Sequence, residues 1–129
     1  MELHIPVSAG ELLDKVSILR IKEARIDDEK KLANVRRELK ALWAVMENLP
    51  VKEAQLEQWL SELAGINEAL WKIEDDIRGC EARRDFGDAF IALARAVYRR
   101  NDERSRIKRQ INIALGSSIV EEKSYVDPN

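Results

Sequence analysis

The residues with chemistry to offer in this 129-residue chain are carboxylates and cations set at helical spacing. Glu11-Leu12-Leu13-Asp14 puts two carboxylates three residues apart, on one helix face, where they could hold a magnesium ion against a phosphate. Glu74-Asp75-Asp76 could add oxygen ligands from a second helix, although a second E-x-x-E or E-x-x-D pair is missing there. Glu11, Asp14, Glu74 and Asp75 thus define one reading, a helical enzyme acting on a phosphorylated metabolite or nucleotide.

The second chemistry is anion binding. If neighbouring helices alternate in direction with a rise of ~1.5 Å per residue, residues can be compared by height. Lys22 and Arg25 then fall near Glu74, Asp75 and Arg78. Asn34, Asn67 and Asn101 come out level, with Arg100 and Arg104 beside them, and Trp43 meets Trp59 near one end. A polar layer of this kind must pair its charges, because an unpaired buried charge costs several kcal/mol. Three outcomes are open: interhelical salt bridges that set the register, a pocket for an anionic ligand built on Lys22, Arg25, Arg100 and Arg104, or side chains that reach solvent.

A third feature lies between Arg95 and Arg109, where seven cations stand against Asp102 and Glu103. Arg95, Arg99, Arg106 and Arg109 share one exposed stripe, with Asp102 between them. Such a stripe suits an acidic partner, a phosphate backbone or an anionic surface, unless Asp27-Asp28-Glu29 of a neighbouring helix or subunit neutralises it. Tyr98 is the only aromatic beside these arginines, so nucleic acid is not the expected partner.

Other chemistries find no residues. There is no Gly-rich phosphate loop, nucleophile elbow or Ser/His/Asp set. With one cysteine, Cys80, and one histidine, His4, neither an internal disulfide nor a Cys/His zinc site can form. Cys80 falls on an apolar seam and reads as a core residue; no cofactor is expected. The net charge of -2 names no partner class. No apolar run approaches the ~18 residues of a membrane span, and residues 1–6 lack a signal-peptide layout, so a cytoplasmic location is expected.

The elements that must position these groups are helices. A composition of 36% charged and 45% hydrophobic residues suits long amphipathic helices in a single domain over 1–129. Leu56, Trp59, Leu63, Ile66, Leu70, Ile73, Ile77 and Cys80 step by three and four without a break, which places a helix over about 52–84. Ser8-Ala9-Gly10-Glu11 has the form of a capping box, with Glu11 reaching back. From there helix-forming residues continue to about 48, before Pro50. Eight charged residues in ten, from Lys22 to Lys31, interrupt the apolar pattern of that helix. They demand a bend, a change of buried face or polar groups in the core. A third helix spans about 86–115, with Asp85 a candidate N-cap and Gly116 the stop. A tail over 117–129 docks as extended chain. The expected fold is therefore all-α: two to three long antiparallel helices, coiled-coil-like, with an extended tail. Apolar seams of this length complete their core by pairing, so a homodimer is expected.

Three longer stretches complete the reading. They are Ser8-Ala9-Gly10-Glu11-Leu12-Leu13-Asp14-Lys15 with Ile18-Leu19-Arg20-Ile21-Lys22, then Leu70-Trp71-Lys72-Ile73-Glu74-Asp75-Asp76-Ile77-Arg78, and last Phe90 to Tyr98 with Glu121-Glu122-Lys123-Ser124-Tyr125. Together they resemble a small bacterial family known only as a domain of unknown function, across nearly the whole chain. The resemblance implies a stand-alone helical cytoplasmic protein associated with surface-polysaccharide or glycosyltransferase systems. It carries no assigned catalytic residues. The preferred function is a non-catalytic binding or assembly module that engages an anionic partner or ligand.

Overall fold

A computed structural model describes residues 1–128, and among them every regular element is a helix: α1 (Ala9–Arg25), α2 (Glu29–Met46), α3 (Glu53–Ala82) and α4 (Asp88–Ala114). The all-helical class stands. The one long helix expected over 8–48 is instead two, and the stretch rich in charge is the reason. Lys22 and Arg25 fall in the last turn of α1, where cations complement the helix dipole. Ile26 then leaves helical geometry, and Asp28 caps α2 by accepting from the Lys31 amide at 2.9 Å, with Glu29 in the first turn. Basic residues followed by acidic ones therefore mark a helix end and a helix start. Arg25 and Asp28, which a continuous seam would bury, are both exposed at this corner.

α1 is the centre of the molecule. It packs against α2, α3 and α4, and α3 also packs along α4, whereas the backbone of α2 lies against α1 alone. Contacts run in opposite senses along α1 and α4, since Gly10 meets Asn112 and Asp14 meets Lys108. The same holds for α1 and α2, where Glu23 meets Arg36 and the Arg20 guanidinium lies over Trp43. The core gathers where the four helices converge: Leu12, Leu13 and Val16 of α1, Met46 of α2, Trp59, Leu60 and Leu63 of α3, and Ile111 of α4. Trp43 packs on its margin.

Length decides the rest. The 17 residues of α1 span about 25 Å and the 30 residues of α3 about 45 Å, so α1 cannot cover the whole α3 seam. Trp59, Leu63 and Ile66 are buried, while Leu70, Ile73 and Ile77 are half-buried; with the half-buried Phe90, Leu93 and Val97 of α4, which packs along α3, they belong to a two-helix arm. Cys80, near the tip of the arm, is buried as expected.

Both long helices end in left-handed caps. After α3, Arg84 has φ 55°, with the Arg84 amide donating to Glu81 O and the Asp85 amide to Cys80 O. After α4, Gly116 (φ 62°) repeats the pattern, with the Ser117 amide on Asn112 O at 2.8 Å. Asp85 does not cap α4: its carboxylate accepts from the Gly87 amide within the turn, and the N-cap is Gly87, without a side-chain bond. Ser8 does cap α1, accepting from the Glu11 amide, but the Glu11 carboxylate does not reach back; it is bonded to Lys108.

Candidate functional site

Polar side chains do enter the centre, and they come from three helices. On α1, Gly10, Asp14 and Ser17 step by four and three along the side that meets α3 and α4. On α4, Asn101, Arg104, Lys108 and Asn112 step by three, four and four beside the Ile107 and Ile111 seam. Asn67 of α3 stands between the two stripes. Its Nδ2 donates to Asp14 Oδ1 (2.8 Å) and Ser17 Oγ (2.9 Å), and its Oδ1 accepts from Arg104 Nη1 (2.9 Å). Arg104 Nη2 donates onward to Asn101 Oδ1 at 2.7 Å. The Ser17 hydroxyl donates to the Asp14 carbonyl, so both hydrogen-bonding senses of that group are used.

Asp14 joins this layer to a second cluster. Lys108 is 9% exposed, and its Nζ donates to Glu11 Oε2 (2.7 Å) and Glu121 Oε2 (3.0 Å), with Asp14 Oδ2 at 3.8 Å. Burial pulls the lysine pKa down, but its hydrogen bonds to Glu11 and Glu121 and the nearby charges of Glu11 and Asp14 outweigh it; the net shift is upward. The bond from Lys108 holds the Glu121 carboxyl below its ordinary range, against a smaller opposing effect of burial. One turn away, the Gly10 amide donates to Asn112 Oδ1 at 2.7 Å. A Cβ on Gly10 would sit 2.5 Å from the Lys108 carbonyl oxygen, so α1 and α4 touch backbone to backbone here.

This layer is closed. Among the described residues no buried side-chain nitrogen or oxygen lacks a partner. The cavity beside Lys108, lined by Ser105, Arg109, Asn112, Glu121 and Lys123, holds about 20 Å³, room for roughly one water. Six of the candidate site residues lie elsewhere or are already engaged. Arg25 pairs with Glu68 and lies over Trp71. Arg100 pairs with Glu103 at 3.1 Å. Glu74 and Arg78 pair with each other on the exposed side of α3. Asp75 lines a shallow groove at the arm with Asp76, Gly79 and Ala92. Lys22, half-buried on α1, joins none of these. Only Asn101 and Arg104 of that set belong to the polar layer. Asn34 bonds Arg37 on its own helix, away from Asn67.

The magnesium set is split as well. Glu11 and Asp14 converge, but on the Lys108 ammonium, while Glu74 lies two turns beyond Asn67, about 10 Å further along α3. Among the described residues no three His, Cys, Asp or Glu side chains group as metal ligands. Gly10, Ser17, Lys108, Asn112 and Glu121 were missed by reasoning from charge alone. The matched polar stripes of α1 and α4 were their signal.

The basic stripe is where the spacing puts it. Arg95, Arg99 and Arg106 face outward on α4 and have no ion-pair partner among the described residues, whereas Arg109 meets Glu122 of the tail at 3.4 Å. Asp27, Asp28 and Glu29 do not neutralise it within the chain, because α2 does not reach α4. Ile91 and Tyr98 are exposed on the same side. No helix of the described residues is long and apolar enough to cross a membrane. Neither a curated protein nor a solved structure matches the chain. A family model matches residues 3–129, nearly the full length, and the chain therefore belongs to a family of unknown function, DUF6165.

Proposed function

We propose that the protein is a binding or assembly module that engages an acidic protein partner through the outer face of α4. One observation carries this reading: among the described residues Arg95, Arg99 and Arg106 have no ion-pair partner, while the remaining cations of α4 are all engaged by Glu103, Asn67, Glu11, Glu121 or Glu122. The three guanidinium groups span twelve residues, about 16 Å of helix. Ile91 and Tyr98 border them and add apolar contact. Guanidinium forks on a rigid helix suit carboxylates, and exposed charges of this kind act on encounter rate and specificity. The closed polar layer serves as the scaffold that ties α4 to α1 and α3. A component of a surface-polysaccharide system is the partner class to look for first.

The test compares the full chain with the Arg95→Glu/Arg99→Glu variant as bait at low and high salt. Acidic partners retained by the native chain should be lost with the variant, since opposing like charges costs several kcal/mol, roughly a hundredfold or more in affinity. Salt should weaken the native interaction in parallel. Retention by the variant would overturn the reading. So would a thermal shift with a nucleotide, nucleotide sugar or divalent metal that survives high salt, which would restore a catalytic pocket.

A further inference from the structure

The tail is an acidic segment already seated on α4. The Ser117 amide donates to Asn112 O at 2.8 Å, but among the described residues 118–126 make no backbone–backbone hydrogen bond. Side-chain charge holds them instead. Glu121 Oε2 accepts from Lys108 Nζ at 3.0 Å, and Glu122 Oε1 accepts from Arg109 Nη1 at 3.4 Å. Two adjacent carboxylates of an extended chain thus take two adjacent cations of a helix.

Arg109 is the last member of the outward row that begins with Arg95, Arg99 and Arg106. It stands three residues beyond Arg106, about 4.5 Å further along the helix. The tail approaches that row from its far end and runs back along α4. Ser117 meets Asn112, while Glu121 and Lys123 border the small cavity beside Ser105 and Lys108. Its carboxylates therefore occupy one end of the face whose other three arginines have no ion-pair partner among the described residues.

The tail can leave at low cost. Removing the partner of a buried charge is expensive when the charge is then left alone. Lys108 is not left alone, because Glu11 Oε2 at 2.7 Å and Asp14 Oδ2 at 3.8 Å stay beside it. The Glu122 side chain is 75% exposed, so its pair with Arg109 is screened and weak. Ile119, Val120, Tyr125 and Val126 are exposed, and little apolar burial resists release.

We infer that the tail is a built-in competitor for the α4 face. The partner it competes with has the tail's own chemistry: an extended segment with neighbouring carboxylates, which displaces Glu121 and Glu122 and completes its hold at Arg109. This rests on the reading that α4 takes an acidic partner; it adds the form of that partner and the segment that must move. Two carboxylates left in place would repel an incoming acidic chain, so their departure removes a like-charge penalty as well as freeing a guanidinium. The coupling is reciprocal: a bound partner loosens the tail, and a loosened tail favours the partner.

An oligoglutamate peptide titrated into the full chain at low salt is the test, with affinity and backbone order parameters read by NMR. Across 118–124 the order parameters should fall below about 0.6, the range of flexible chain, as the peptide saturates the native protein. Neutralising the competitor, in Glu121→Gln/Glu122→Gln, should tighten peptide binding about twofold to fivefold, the worth of weak surface pairs. Charge removal alone would also tighten binding, but it would not move the order of the native tail. If the peptide needs Arg95 and Arg99 yet leaves the tail as ordered as before, or binds the Gln variant no better, the competitor is overturned and the α4 reading stands. If the peptide does not bind the native chain, or binds Arg95→Glu/Arg99→Glu equally well, both fall.

Discussion

The Asn67 amide nitrogen lies 2.8 Å from Asp14 Oδ1, and this single bond fixes the height of α3 on α1. Both side chains are buried, and the same carboxamide also serves Ser17 and Arg104, so three helices share one hinge of polarity. Replacing Asn67 by Ala removes three hydrogen bonds, two of them to charged groups, and leaves Asp14 and Arg104 to find solvent they cannot easily reach. The expected loss is about 3 kcal/mol, read as a fall of roughly 10 °C in melting temperature. Asn101→Ala, at the half-buried end of the same chain of bonds, should cost less than about 1 kcal/mol. Equal effects would mean that the network is not anchored at Asn67.

Two glycines in helices predict opposite outcomes. Alanine is the better helix former by about 1 kcal/mol. At Gly65, where an added Cβ meets nothing within 4 Å, that preference acts alone, and Gly65→Ala should raise stability by about 0.5–1 kcal/mol. At Gly10 the new methyl would stand 2.5 Å from a main-chain oxygen of α4. Backbone cannot swing aside as a side chain can, so overpacking of about 1–3 kcal/mol outweighs the propensity gain. Denaturant melts of the two variants should move to opposite sides of the native midpoint. A stabilised Gly10→Ala would show that α1 and α4 do not approach as described.

These pairs also mark what the sequence could disclose. The three-four rhythm from Leu56 to Cys80 identified α3 to within two residues at each end, because burial of a whole face enforces that spacing. The break at Ile26 was hidden because charge alone does not end a helix. Its signal was the order of the charges, Lys22 and Arg25 before Asp28 and Glu29. Heights placed Asn67 beside Arg104 but carried Arg25 one to two turns too far along α3, to Glu74 and Asp75 instead of Glu68 and Trp71. A register built from rise per residue accumulates loop and tilt errors. Lys108 was counted as part of a charged face because nothing local distinguishes a buried lysine; its partners Glu11 and Glu121 lie 97 and 13 residues away.

Arg84 closes α3 with φ 55°, a conformation that costs an L-residue roughly 1–2 kcal/mol. Arg84 is exposed, and among the described residues no ion pair compensates the strain. Gly116 occupies the equivalent place after α4 without strain. Arg84→Gly should therefore stabilise the fold by about 0.5–1 kcal/mol after the greater freedom of glycine in the unfolded chain is counted. The gain should appear as slower amide exchange at Arg84 and Asp85, whose N–H groups close the cap. A loss of stability would mean that the arginine side chain has a role at the arm tip.

The tail is held by charge, and its pH response follows from Glu121 and Lys108. Glu121 titrates lower in the folded protein than in the unfolded chain, so its contribution is present above the ordinary glutamate value of about 4.3 and is lost as pH falls through the lowered folded value. Lys108 is shifted upward, so its contribution is complete below the ordinary lysine value of about 10.4 and is lost as pH rises through the raised folded value. Between these limits the tail stays on Lys108. Because the Glu121 side chain is 48% exposed, the pair is partly screened and contributes under about 1 kcal/mol. Native protein should therefore melt slightly above Glu121→Gln at neutral pH, and the difference should vanish in acid. Salt should shrink it. Amide exchange across 117–124 should quicken in Glu121→Gln at neutral pH, while the Asn67 layer, which does not contain Glu121, stays protected. A pH-independent difference between the two proteins would show that the tail is held by packing at Leu115 and Ile119 instead of by the Lys108 ammonium.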